Sequence, residues 1–155
     1  MPILEIARKE VATQPILFVR RYVTRDEIAQ AIGEGLGAAF ALAQRKGCAI
    51  AGPPFARYPS MGADALTIEI GCPVAAATDG EGQVEAGTLQ GGPAAVALHA
   101  GPYTELPEAF AAIGQWMTDN GHAPGGPPWE SYLTDPEKTP NPADWRTAVY
   151  WPLAR

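Results

Sequence analysis

Glu130 stands in the middle of Pro128-Trp-Glu-Ser-Tyr-Leu133, a run otherwise rich in aromatic and apolar residues. A carboxylate enclosed by rings loses hydration, which favours its neutral form until a cation or a strong hydrogen-bond donor arrives. Aromatic faces add cation–π attraction of roughly 0.5–2 kcal/mol each, which suits flat, delocalised organic cations better than small ions. If the run is a strand, its period of two puts Tyr132 on the same side as Glu130, and Trp129 on the other side, where packing against a helix is expected. A strand glutamate can equally face solvent or cap a turn, so the ring-rich setting is what singles Glu130 out.

The setting occurs twice. Gly47-Cys-Ala-Ile-Ala-Gly-Pro-Pro-Phe-Ala-Arg-Tyr58 aligns without a gap on Gly121-His-Ala-Pro-Gly-Gly-Pro-Pro-Trp-Glu-Ser-Tyr132. Tyr58 matches Tyr132, Phe55 matches Trp129, and the broken equivalence is Ala56 against Glu130. Gly101-Pro-Tyr103 marks a turn from a strand into a helix, so Tyr103 either covers the helix end or adds a phenol to the site. On the last strand, Arg146, Ala148 and Tyr150 share one face, with Tyr150 expected to reach a cleft; Thr147, Val149 and Trp151 share the other, with Trp151 expected in the core.

Other chemistries find little support. His99 and His122 have no ligand spacing to each other or to Cys48 and Cys72, so no metal is expected. Gly33-Glu-Gly-Leu-Gly37 lies inside a helical pattern rather than opening a helix after a strand, a poor dinucleotide motif, and no cofactor is expected. Ser60 and Ser131 sit on no nucleophile elbow.

The elements that carry these residues repeat as well. Thr24-Arg-Asp-Glu27 has the form of a capping box, and the apolar spacing that follows predicts a helix from about Thr24 to Lys46, stopped by Gly47. In the second copy Thr104 is the expected cap of a helix ended by Gly121, with Pro107 tolerated in its first turn. Strands are predicted around residues 16–22, 54–58 and 66–72, and again around 94–100, 128–133 and 145–152, with extra strands near 3–8 and 84–89. The expected fold is α+β: two pseudo-twofold-related strand-helix-strand-strand modules, repeat one about 14–74 and repeat two about 93–153, forming an antiparallel sheet with two main helices and a central ligand cleft in a single domain, 1–155.

The 155 residues suffice for one ordinary core, and 17 glycines and 16 prolines stay short of a low-complexity composition. The net charge of −6, with scattered Lys and Arg, gives no footprint for direct nucleic-acid binding or for an anionic membrane surface. No apolar run reaches the roughly 20 residues of a membrane span or forms a signal peptide, and two cysteines read as buried reduced thiols. The expectation is a cytoplasmic protein whose partners are neutral or cationic.

His99-Ala-Gly-Pro-Tyr103, a helix ending in Gly121, Gly126-Pro-Pro-Trp-Glu-Ser-Tyr132-Leu-Thr-Asp-Pro136 and a closing Trp151-Pro-Leu153 together resemble the GyrI-like small-molecule-binding domain, also found as the effector-binding half of AraC- and MerR-type multidrug regulators. The resemblance spans essentially the whole chain. It implies a cleft for bulky aromatic, often cationic compounds, with Glu130 as the acidic contact and Tyr103, Tyr132 and Tyr150 as aromatic walls, and Tyr58 as the counterpart of Tyr132. It also implies two alternatives: hydrolysis of cyclopropane-bearing DNA alkylators, with Glu130 as general acid or base, its pKa raised, and a hydroxyl of Tyr103 or Tyr132 assisting; and masking of a protein partner such as gyrase. Unlike the regulators, the sequence shows no helix-turn-helix segment, so direct transcriptional control is not expected.

Overall fold

The computed structural model describes residues 3–154. The fold is α+β, with eight strands and two main helices: β1 (Ile3–Val11), β2 (Gln14–Thr24), α1 (Ile28–Arg45), β3 (Phe55–Met61), β4 (Ala65–Pro73), β5 (Val84–Leu89), β6 (Gly92–Ala100), α2 (Leu106–Asp119), β7 (Trp129–Tyr132) and β8 (Arg146–Pro152). These form two compact units, one of residues 13–90 and the other of residues 1–12 with 91–155. Each unit holds one repeat and one of the two extra strands. The first has its strands in the order β3-β4-β2-β5 and the second in the order β1-β6-β8-β7, with antiparallel pairing throughout.

The two helices end alike. Gly47 and Gly121 take positive φ, 64° and 72°, a region that only glycine enters without cost. At the first, Cys48 N–H donates to Ala43 O (2.9 Å) and Gly47 N–H to Gln44 O (3.1 Å); at the second, His122 N–H donates to Met117 O (2.8 Å) and Gly121 N–H to Thr118 O (3.3 Å). Both are the paired bonds of a Schellman ending. The starts are tighter than the sequence suggests. Arg25–Glu27 and Tyr103–Glu105 are single 3-10 turns ahead of α1 and α2. Glu27 accepts the Thr24 N–H (2.8 Å), as a capping box requires, but Thr104 lies inside its turn behind Pro102 and caps nothing. Proline there pre-sets φ and gives up no needed donor.

In the first unit α1 lays Leu42 and Ala43 against Leu17, Val19 and Val74. Gly35 lets the helix come close: a Cβ built on it would meet Ile70 Cβ at 2.9 Å. In the second unit α2 lays Leu106, Ala109, Ile113 and Met117 on Ala95, Ala97, Val149 and Leu153, with Trp151 at the margin. The packing of α1 on β2 and β4 is more extensive than that of α2 on β6 and β8.

These contacts fix which way each strand faces, and they reverse one expectation. Directly opposed residues in an antiparallel pair share a face. Val149 opposes both Ala97 and Glu130, so Glu130 and Tyr132 lie on the α2 side, while Trp129 opposes Tyr150 on the far side. Likewise Ala56 opposes Ile70 on the α1 side, and Phe55 opposes Gly71 away from it. The aromatic pair Phe55 and Trp129, expected to pack against the helices, therefore faces away from them. The reason is volume: beneath α2 the β6 strand offers Ala95 and Ala97, which fit a helix stripe of Ala109 and Ile113 without an indole between.

Of the two cysteines, Cys72 is buried as expected; Cys48 is only half-buried, with Sγ 3.1 Å from Thr78 Oγ1. Among the described residues no helix is long and apolar enough to cross a membrane.

Candidate functional site

Glu130 occupies the second position of β7, a four-residue strand whose residues are all buried, and is itself 3% exposed. Its strand neighbours on the same face are Tyr132 and, across the β7–β8 pairing, Val149 and Thr147. The third wall comes from the chain between β6 and α2. Gly101, at φ 125°, turns the chain off β6 where a side chain would be strained, and its N–H donates to Trp145 O (2.9 Å), tying this corner to the start of β8. The turn that follows places the Tyr103 ring 5.3 Å from that of Tyr132, tilted by 55°, and 4.6 Å from that of Trp145, tilted by 32°.

Trp145 is held from behind. Its indole Nε1–H donates to Thr139 O (2.6 Å), and the segment leading to it is pinned where the Arg146 N–H donates to Thr134 Oγ1 (3.0 Å) and Asn141 Oδ1 accepts from Ala143 N–H (3.1 Å). The rings of Tyr132, Tyr103 and Trp145 thus run in series from beside Glu130 towards the half-exposed Trp145. Burial pushes the Tyr103 hydroxyl above its ordinary pKa, and the negative charges of Glu130 and Asp135 push it further. Tyr103 therefore stays a protonated phenol, a hydrogen-bond donor with an unionised ring, across the physiological range.

Tyr150 is not part of this group. It lies on the opposite face of β8 from Val149 and Thr147, stacked on Trp129 with centroids 5.1 Å apart and planes 13° from parallel. Its register partner Trp129 fixes it there, a consequence of which residue of β8 pairs with Glu130 and not of the alternation itself. Tyr58 lies in the other unit, buried on β3 at the irregularity between Arg57 and Ser60. Trp145 escaped the sequence reading because it lies just outside the alternating run of β8. The signal was available: Gly101-Pro-Tyr103 leaves a strand that pairs with β8, so the residue entering β8 had to meet Tyr103.

Around this carboxylate the arrangement can desolvate and stack on a flat or bulky organic molecule and compensate a positive charge on it. Among the described residues no cluster of His, Cys, Asp and Glu is positioned to hold a metal ion.

Comparison with solved structures supports the same fold. The C-terminal domain of EcmrR superposes with a TM-score of 0.87 at 22% identity, over 100% of this chain and 99% of that one. A hydrolase encoded by lin2189 from Listeria innocua gives a TM-score of 0.71 at 18% identity, covering 99% of this chain and 93% of that one. SAV2435 bound to tetraphenylphosphonium gives 0.62 at 10% identity, covering 97% and 94%. Against the full EcmrR chain in its complex with DNA, the present chain spans 57% of that protein's length. No curated protein matches the chain in sequence. The family model that does match is that of the GyrI-like small molecule binding domain, over residues 5–154, and the chain belongs to that family.

Proposed function

We propose that the chain binds bulky aromatic cations, with Glu130 as the counter-charge and Tyr103, Tyr132 and Trp145 as the stacking surface. The observation that carries this reading is a carboxylate 3% exposed on the same strand face as Tyr132, from which the rings of Tyr103 and Trp145 continue in series. A buried carboxylate attracts a cation more strongly than an exposed one does, and a cation with a poorly hydrated, delocalised charge gives up little hydration to reach it. Small inorganic cations hold their hydration too tightly to do so. That a similarly folded protein, SAV2435, binds tetraphenylphosphonium lends support to this ligand class. Titration calorimetry with methyltriphenylphosphonium and its neutral near-isostere triphenylphosphine oxide tests the idea on the native chain. The cation should bind at least tenfold more tightly; equal affinity would remove the electrostatic part of the proposal.

A second reading has one specific observation behind it. Tyr103 keeps its proton and feels the charge of Glu130, so a carboxylate base and a phenolic donor stand in one site, the pair needed to add water across a strained, electrophilic ring. In that reaction Glu130 takes the proton of water, the hydroxide oxygen bonds to the ring carbon, and the breaking carbon–carbon bond leaves its electron pair on a carbonyl-stabilised carbon that Tyr103 helps to neutralise. Incubation with a cyclopropane-bearing alkylator, followed by mass spectrometry, separates the two readings. A ring-opened product formed faster than in buffer alone and absent with Glu130→Gln indicates an enzyme, and unchanged compound indicates binding alone.

A further inference from the structure

The floor of the same site holds a polar pair that neither reading uses. His99 on β6 and Thr147 on β8 oppose each other directly, Thr147 opposes Tyr132 on β7, and the next row along is Ala97, Val149 and Glu130. Both residues are 0% exposed. Among the described residues neither ring nitrogen of His99 has a hydrogen-bond partner, nor does the Thr147 hydroxyl. An imidazole and a hydroxyl buried in this way lose their hydrogen bonds to water with no return, and native structures keep such groups where something else completes them.

We propose that His99 and Thr147 form a hydrogen-bonding subsite for a neutral hydroxyl group on the ligand whose cationic end lies at Glu130. The inference rests on the cation-binding reading and narrows it from aromatic cations in general to hydroxyl-bearing ones. The dimensions agree: neighbouring strands lie about 4.8 Å apart, so the row from Tyr132 through Thr147 to His99 spans about 10 Å, the width of a drug-sized ring system. Chemistry agrees as well. Burial holds His99 below its ordinary pKa of 6.5, against the opposing pull of Glu105 and Glu108 on the α2 side. Near neutral pH the imidazole is therefore uncharged, with one nitrogen donating and the other accepting, and does not repel a cation. A hydroxyl group, itself both donor and acceptor, can bond to both His99 and Thr147.

The probes are tetraphenylphosphonium, which has no hydrogen-bonding group, and its three mono-hydroxyphenyl isomers, titrated into the full chain. At least one isomer should bind about tenfold more tightly than the parent, the worth of a well-made buried hydrogen bond. That ratio should fall towards one in Thr147→Val, which keeps the side-chain shape, and in His99→Leu. Because His99→Leu alters a fully buried position and can abolish folding, nitrogen-15 NMR of the native chain gives an independent readout, with only two histidines to assign. The favoured isomer should move the His99 ring-nitrogen resonances, and the parent ion should not. No advantage for any isomer, an advantage that survives Thr147→Val, or His99 resonances that already report a hydrogen bond and move with neither probe, as a resident water would give, each overturns the subsite while leaving the Glu130 reading in place. Failure of the native chain to bind any of the phosphonium ions, or equal binding by Glu130→Gln, overturns the Glu130 reading and this inference with it.

Discussion

The half built on α1 and the half built on α2 descend from one pattern and fill the space under their helices differently. Counted back from the glycine that ends each helix, Gly35 of α1 corresponds to Ala109 of α2, and on the strands Ile70 corresponds to Val149. In the first half Gly35 brings the helix onto Ile70, and the neighbouring β3 position is Ala56, 0% exposed. Helix and sheet close on each other there. In the second half the helix carries a methyl group at the equivalent position, packs less extensively on its strands, and has Glu130 beside Val149. The first half has a buried carboxylate too, Glu69, on the face away from α1, where it pairs with Arg20 (2.8 Å) and Arg57 (2.7 Å). One half thus uses its carboxylate to hold strands together, and the other turns a carboxylate towards its helix, among tyrosines.

If the first half is closed in this way, it cannot accept at position 56 the glutamate that the second half carries at the equivalent position 130. Ala56→Glu should lower stability by about 3–5 kcal/mol, the range for a buried charge left without compensation, read as a reduced urea midpoint at unchanged slope. A midpoint within experimental error of the native chain would mean that α1 leaves as much room as α2. In the second half the expected loss is in binding instead: Glu130→Gln should weaken methyltriphenylphosphonium binding by about 2–5 kcal/mol. Next in size is Gly35→Ala. The added Cβ must displace Ile70, and overpacking of this kind costs about 1–3 kcal/mol. Gly114→Ala in α2, where a Cβ would meet nothing within 4 Å, should instead raise stability by about 0.5–1 kcal/mol, the ordinary helix preference for alanine.

The smallest expected effect is on pH dependence. Burial lowers the folded-state pKa of His99 below its ordinary 6.5, so the unfolded chain takes up that proton first on acidification. Stability should therefore fall as pH drops through 6.5 towards the lower folded value, and should not respond to this residue well above 6.5. His99→Gln should flatten that part of the melting-temperature curve relative to the native chain. Parallel curves would place the acid sensitivity in other groups.

Much of this was legible beforehand. The repeat, the two helices with their glycine endings, and all eight strands follow from local signals: apolar spacing, alternation, and glycine at the point where φ turns positive. The ring neighbours of Glu130 on its own strand were legible for the same reason, since alternation is set within the strand. What alternation cannot supply is which face meets the helix. That depends on register with β8 and on the small residues of β6, which is why Trp129 and Tyr150 were assigned to the wrong sides, and why Trp145, contributed by a turn and held by Thr139, was not seen. The polar floor was hidden for a similar reason: His99 and Thr147 lie far apart in sequence and become a pair only through the β6–β8 register.

If the chain binds as proposed, a cationic aromatic ligand is held on the α2-side face of β7, beside Glu130. A crystal structure of the full chain with a bromophenyl-triphenylphosphonium ion, located by the anomalous signal of bromine, tests it most directly. The phosphorus is expected within about 6 Å of the Glu130 carboxylate or of a ring centroid of Tyr103, Tyr132 or Trp145, the range over which a cation is attracted to a ring. An ion seated instead on the stacked Trp129 and Tyr150, with Glu130 still buried on the other face, would contradict it.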